Sequence, residues 1–365
     1  KIPSELLNKQ HETISLHIGS AISVKDQLEF SDTSSFAPYL RARVYALSNK
    51  TNSPQAAIPQ PFVYVKPIAK PAKQISLLLE ITNINAYYQL FRWQQYAVYC
   101  APSSVIPKIT AEIGRLREIT FREAGEGTNE ARDIDEFDKY YHQLFIWDSD
   151  AEKIVGGYRI GKGKEILKHY GINGFYTQTL FRMNKEMTSF LDESMELGRS
   201  FIIKEYQRKP LSLFLLWKGI LHLLWKHPEY KNLMGPVSIS NTYSRLSQEL
   251  IVKYIRQNHF DNVLAMNLRP KHPFAEKPSL VNTDILVKHT GDLQGLDRLI
   301  KDIDPTNDRI PVLLRKYLEL GGKIASFNID PKFNHVVDGF LVLDIKNVKQ
   351  EMIKALAGKK DEVTL

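Results

Sequence analysis

Apolar and polar positions along the chain fall into a series of short periodic runs, and their order predicts the architecture. Near the start, Thr13-Ile14-Ser15-Leu16-His17-Ile18 alternates with the period of a strand and ends at Gly19, and a helical pattern follows from Lys25 to Leu47. Pro54, Pro59, Pro61, Pro67 and Pro71 then exclude a helix over Asn49 to Gln74, which reads as an extended linker and a domain boundary. Beyond it the spacing predicts a helix over Ile75 to Trp93, a strand over Tyr96 to Cys100, and a helix from Val105 to Phe121 stopped by the cluster Gly125 to Asn129. Tyr141 to Trp147 and Ile154 to Ile160, joined by the polar turn Asp148 to Lys153, make a hairpin. A loop-rich interval from Gly161 to Phe190 leads to a strand over Met195 to Ile203, after which Pro210 opens a helix running to His227. Strand Leu233 to Ser240, helices Ser244 to Asn258, Leu293 to Ile303 and Arg309 to Leu320, and strands Lys323 to Ile329 and Gly339 to Asp344 complete the series. Strands interleaved with helices in this order fit an α/β fold, a mixed sheet covered by helices.

Composition narrows the partners. At 365 residues and 43% hydrophobic the chain is long enough for one large domain with an appendage or for two ordinary ones. A formal charge of +8 and a pI near 9.2 favour an acidic partner: nucleic acid, an anionic membrane surface or an acidic carrier protein. The aromatic residues are not interleaved with basic ones in a stripe, which argues against nucleic acid. A single cysteine, Cys100, excludes an intramolecular disulfide and a Cys-rich zinc site, and the histidines show no metal-ligand spacing. No run of 18 apolar residues is present to span a bilayer. The start, Lys1-Ile2-Pro3-Ser4, reads as though cut from something longer.

Charges inside apolar elements mark the chemistry. Ser194-Met-Glu-Leu-Gly-Arg-Ser-Phe201 places Glu196 and Arg199 in an apolar strand; a regular strand would send them to opposite faces, and a bulge at Gly198 would bring them to one side. Arg117 and Phe121, four apart, share a helix face, Asp133, Asp135 and Asp138 cluster before the hairpin, and Arg159 stands alone inside the second hairpin strand. The helix Leu211 to Trp225 is apolar nearly all round and is expected against the sheet, with membrane contact the alternative. Gly161-Lys162-Gly163-Lys164 lacks the spacing and the Ser or Thr of a phosphate loop.

In order and spacing, Arg117 with Phe121, Asp135 with Asp138, Arg159, and Glu196 with Arg199 resemble the motif set of the acyl-homoserine lactone synthases. The closer similarity is to the ornithine lipid N-acyltransferases of the GNAT superfamily, through Leu116-Arg-Glu-Ile-Thr-Phe-Arg122, Gly125-Glu-Gly-Thr128, Glu196-Leu-Gly-Arg-Ser-Phe201 and the stretch from Ile310-Pro311 to Asp338. Separately, Leu6-Leu-Asn-Lys9 and Ile18-Gly-Ser-Ala-Ile22 resemble the closing segment of a lysophosphatidic acid acyltransferase domain, as in fused haemolysin-like lipid synthases, although no histidine has the Asp five positions on that such a site needs.

These resemblances imply a map: an O-acyltransferase-like remnant over residues 1–48, a linker over 49–74, a GNAT-like domain with a splayed sheet over 75–350 and a tail over 351–365. They imply transfer of a 3-hydroxyacyl chain to the α-amine of ornithine, glycine or a similar amino acid, by direct attack, with no metal and no tightly bound cofactor. Glu196 would take the amine proton, directly or through water, with Arg199 as its partner. Asp135, Asp138 and Arg159 would shape the acceptor side, and Arg117 and Phe121 a lid. Phe201, Ile202, Ile203, Arg208 and Lys209 would hold the donor, and Phe214, Trp217 and Leu221 its acyl chain. The loop Glu205-Tyr-Gln-Arg-Lys-Pro210 lacks the glycines that cradle a pyrophosphate, which favours acyl carrier protein over coenzyme A as donor and matches the basic charge. The expected location is cytoplasmic, with peripheral contact to the inner membrane face. Two alternatives stand beside this reading: a homoserine lactone synthase that uses S-adenosylmethionine, and a non-catalytic lipid-binding module.

Overall fold

The computed structural model describes residues 16–48, 65–84, 86–276 and 280–357. Its centre is an eight-stranded mixed sheet in the order β1 (Gln89–Trp93), β2 (Tyr96–Pro102), β3 (His142–Asp148), β4 (Lys153–Lys162), β6 (Ser194–Ile202), β7 (Asn232–Ile239), β10 (Val336–Asp344) and β9 (Lys323–Asp330). β5 (Phe181–Met183) and β8 (Leu268–Pro270) form a separate two-stranded ribbon. All neighbours in the large sheet are antiparallel except β6 and β7, which run parallel at its centre.

Among the described residues, ten helices of six residues or more lie on the sheet or pack against the helices that do. They are α1 (Thr33–Leu47), α2 (Gln74–Asn83), α3 (Pro107–Glu123), α4 (Gly163–Tyr170), α5 (Pro210–Lys226), α6 (Arg245–Asn258), α7 (Thr283–Lys288), α8 (Leu293–Ile303), α9 (Val312–Glu319) and α10 (Gln350–Ala357). Pro107 and Pro210 open α3 and α5 at a position where a missing N–H costs nothing, and Asp32 and Ser244 cap α1 and α6 through their side chains. α5 packs on β1 to β4 while α3 covers the opposite face, so β3 and β4 are buried almost throughout, which is why they read as near-continuous apolar runs. Among the described residues no helix is long and apolar enough to cross a membrane.

Five regions differ from expectation. The helical pattern over 25–47 gives a single turn at Val24–Gln27 and then α1 only from Thr33, where Asp32 caps a fresh start. The helix expected over 75–93 ends at Asn83, and β1 pairs with β2 through a tight turn at Gln94, whose φ of +53° no Gly or Asn signals. The interval 161–190 holds α4 and a set of 3-10 turns. Of the strand expected over Thr13 to Ile18, residues 13–15 lie outside the described residues and 16–18 are not strand; Leu6 to Lys9 and linker residues 49–64 also lie outside them. Residues 351–357, expected as a tail, belong to α10, which buries Ile353 against Leu221 of α5; 358–365 are outside the described residues. α1 places Tyr39, Ala42 and Ala46 in the main core beside α7 and α8, and Arg43 pairs with Asp302 at 2.7 Å.

Candidate active site

β6 and β7 part company halfway along. Their parallel pairing runs from Ser194 and Asn232 to Glu196 and Met234, then stops. On β7 the next residues are Gly235 and Pro236. A Cβ at Gly235 would sit 2.0 Å from the Leu197 carbonyl oxygen, so only glycine permits this approach, and Pro236 has no N–H to continue the ladder. On β6 the pairing with β4 slips between Gly198 and Phe201, and Arg199 takes φ +51°. The bulge therefore lies at Arg199 and Ser200, one residue past the glycine expected to carry it; Gly198 itself is free of any crowding. A left-handed arginine costs about 1–2 kcal/mol, which its partners must offset.

Those partners are a buried ionic network. Arg199 reaches Asp133 at 3.1 Å and Asp135 at 3.3 Å, and donates to the Tyr176 hydroxyl at 3.1 Å. Behind it, Arg159 holds Asp135 at 2.5 Å and Asp138 at 3.1 Å, and Arg117 holds Asp133 at 3.0 Å and Asp138 at 2.9 Å. Three guanidinium groups thus balance three carboxylates, which is the condition for keeping such charges out of water. Burial pushes the Asp138 carboxyl up, but Arg117 and Arg159 overcome it and hold the acid well below its usual range. The Tyr176 ring carries the Arg159 and Arg199 guanidinium groups 5.0 and 4.7 Å from its centroid.

Glu196 is separate from this network and does not pair with Arg199. It is 1% exposed, and its oxygens accept hydrogen bonds from the Tyr141 hydroxyl, from Tyr176 N–H at 3.0 Å and from Thr177 N–H at 2.6 Å. Burial raises its pKa, opposed by the Tyr141 and Thr177 hydrogen bonds and by Arg159. The carboxylate pins the turn at 172–179 to the sheet.

The open side of the fork between β6 and β7 is a cavity of about 210 Å³ lined by Phe121, Glu126, Tyr176, Arg199, Ser200, Ser238, Asp330, Phe333 and Asp338. Asp338, on β10 opposite Ser238, is 3% exposed and accepts the Ser238 hydroxyl at 2.7 Å. Burial raises its pKa to about 7; Ser238 and Arg199 pull the other way, and Asp330 and Glu126 add to the rise. Half-buried Glu126 is also pushed to about 7 by burial, with Ser240 opposing.

Through Phe121, Glu126, Ser200 and Leu313 the cavity joins an apolar groove of about 880 Å³. Phe201 and Ile202 of β6, Leu213, Phe214 and Trp217 of α5, Leu313 of α9 and Met352 and Leu356 of α10 form its walls, with Arg208 and Lys209 at the start of α5 on its rim. Of the residues singled out in the sequence, Arg199 and Phe121 line the cavity, and Phe201, Ile202, Arg208, Lys209, Phe214 and Trp217 line the groove. Arg117, Asp135, Asp138 and Arg159 stand behind Arg199. Ile203 is packed between the two clusters that flank the sheet, and Leu221 against Ile353. Sequence reading missed Asp338, Ser238, Asp330 and Tyr176 as site residues; Gly235-Pro236 inside a strand was the available signal for the fork.

The fold is a GNAT-like one: a mixed sheet flanked by helices and opened between its parallel central strands. Residues 116–218 match the profile of the acetyltransferase (GNAT) domain family. Two relatives carry the name glycine N(alpha)-acyltransferase. That of Phocaeicola vulgatus is 29% identical over 259 residues, covering 67% of this chain and 78% of its own length. That of Bacteroides thetaiotaomicron is 27% identical over 297 residues, covering 78% and 87%. Among solved structures, a CoA-dependent acyl-homoserine lactone synthase, MesI, is similar at 13% identity and a TM-score of 0.34, over 71% of this chain and 93% of that one. The protein is an amide-forming acyltransferase that draws on an acyl thioester.

Proposed function

We propose that the protein makes an N-acyl amino acid, moving a long, 3-hydroxylated acyl chain from acyl carrier protein to the α-amine of glycine, with ornithine the second acceptor to test. The observation that carries this reading is the adjacency of the two spaces: a polar cavity for a small amine and an apolar groove for a chain share Phe121, Glu126, Ser200 and Leu313 as walls. Glycine takes first place because two relatives are named for it and because Phe121, Tyr176 and Phe333 close the cavity around a small molecule. The rim residues Arg208 and Lys209, in a loop without glycine, suit the phosphate of a phosphopantetheine arm on an acidic carrier. Beyond Glu196 the β7-facing backbone of β6 lacks a strand partner, which leaves N–H groups to stabilise the oxyanion of the tetrahedral intermediate. Arg199, fixed by its aspartates, faces the acceptor's carboxylate.

The test incubates the protein with 3-hydroxyacyl carrier protein or the matching coenzyme A thioester, and with glycine, ornithine or S-adenosylmethionine, and reads product mass. N-(3-hydroxyacyl)glycine formed faster from the carrier protein is expected. A homoserine lactone product would favour the synthase alternative, and no product from any pairing would overturn the reading.

A further inference from the structure

We propose that Asp338, held by Ser238 and facing the fork cavity, is the group that takes the proton from the acceptor amine, and that Glu196 is a structural carboxylate. The proposal rests on the acyl-transfer reading above and deepens it. A base must reach the proton it removes. Glu196 lines neither the cavity nor the groove, and Tyr141, Tyr176 and Thr177 donate to both of its oxygens. Asp338 lines the cavity, has Ser238 Oγ on one oxygen, and has no cation within ion-pair distance among the described residues.

The charged and titratable groups that face Asp338 come from three neighbouring strands, the loop after α3 and the turn at 172–179, which brings the Tyr176 hydroxyl, itself the acceptor of a hydrogen bond from Arg199. Asp330 is on β9, Glu126 on the loop after α3, and Arg199, engaged with Asp133 and Asp135, on the β6 bulge; Ser238 on β7 is the hydrogen-bond donor. Two further carboxylates beside Asp338, and an arginine already neutralised, make the cavity a place where an ammonium group binds. They also keep Asp338 basic enough to accept a proton near neutral pH. Such a carboxylate is costly to the fold, which is the usual mark of a group kept for chemistry.

The bound ammonium gives one proton to the Asp338 carboxylate, and the neutral amine attacks the thioester carbonyl. The C–N bond forms and the C–S bond breaks. The second proton on nitrogen goes to the departing thiolate, and Asp338 returns its proton to water. Glycine and acyl thioester become N-acylglycine, free thiol and one released proton.

The decisive experiment compares Asp338→Asn, Glu196→Gln and Ser238→Ala with the wild type from pH 5.5 to 9, following acyl transfer to glycine and the melting temperature. Asp338→Asn is expected to lower kcat at least 100-fold with little change in donor binding, and to raise the melting temperature at pH 8 more than at pH 5. Ser238→Ala, which removes a bond that favours the ionised acid, should move the acidic limb of the pH–rate profile upward. Glu196→Gln should lower the melting temperature and keep kcat within about tenfold. The proposal is overturned if Asp338→Asn keeps the wild-type rate and acidic limb, or if Glu196→Gln abolishes turnover with its melting temperature unmoved. A wild-type protein that acylates no amine would instead sink the function reading itself, and the base assignment with it.

Discussion

The two sides of β6 hold carboxylates in opposite conditions. On the β4 side, Asp133, Asp135 and Asp138 are each matched by an arginine, and Glu196 is filled by hydroxyl and backbone donors. On the β7 side, Asp338 has one hydroxyl donor and like-charged neighbours. The first set is saturated with donors or counter-charge and held in place; the second is left with a single donor beside an open cavity. Burial alone is therefore a poor guide to chemistry, since Glu196, Asp138 and Asp338 are all nearly inaccessible. What separates them is the supply of donors and counter-charge.

The largest expected effect tests the matched side. Arg159→Met takes one of two arginines from both Asp138 and Asp135 and leaves three carboxylates to two guanidinium groups, so a loss of about 3–5 kcal/mol in urea denaturation is expected; a loss below 1 kcal/mol would show the network to be solvated. The unmatched side gives the next effect, with the opposite sign. Asp338 rises from 3.8 to about 7 on folding, so between those values the folded state binds the extra proton. Its contribution favours folding below about pH 4, fades as pH rises, and becomes a full penalty above 7, on the order of 4 kcal/mol. Asp338→Asn should thus stabilise the protein at pH 8 and leave it nearly unchanged at pH 4, read by denaturant midpoints at both. Within the groove, Leu356→Trp should shorten the preferred acyl chain, with each excluded methylene costing about 1–3 kcal/mol in kcat/KM across a chain-length series. Smallest is the rim: Lys209→Glu should raise KM for the carrier-protein donor about threefold to tenfold, with an effect that shrinks in high salt and is weaker for a coenzyme A donor.

Much of this was legible in the chain. Short apolar runs bounded by turn residues marked β2, β3, β4, β6, β7, β9 and β10 because each buries one face or both, and isolated charges within such runs flagged Arg159, Glu196 and Arg199. β1 escaped because its turn needs a positive φ at Gln94, a glutamine. α10 escaped because its apolar face has meaning only once α5 lies beneath it. Asp338 entered only as the end of the family-like stretch from Ile310-Pro311, with no role attached, and its neighbours Glu126, Ser238 and Asp330 are scattered over the chain.

The sequence by itself determined most of the strands and helices and the strand that carries Glu196 and Arg199, since these follow from local periodicity and from residue types rarely buried without use, while the GNAT-like class came from the resemblance of its motifs to a known family. Only the tertiary structure decided which way those residues face. A one-residue bulge at Arg199 and the break at Gly235-Pro236 set the two sides of β6, and the pairing of β7 with β10 brings Asp338 to the fork. Register and strand order are long-range properties, because a slip of one residue turns every side chain to the other face while leaving the local pattern unchanged.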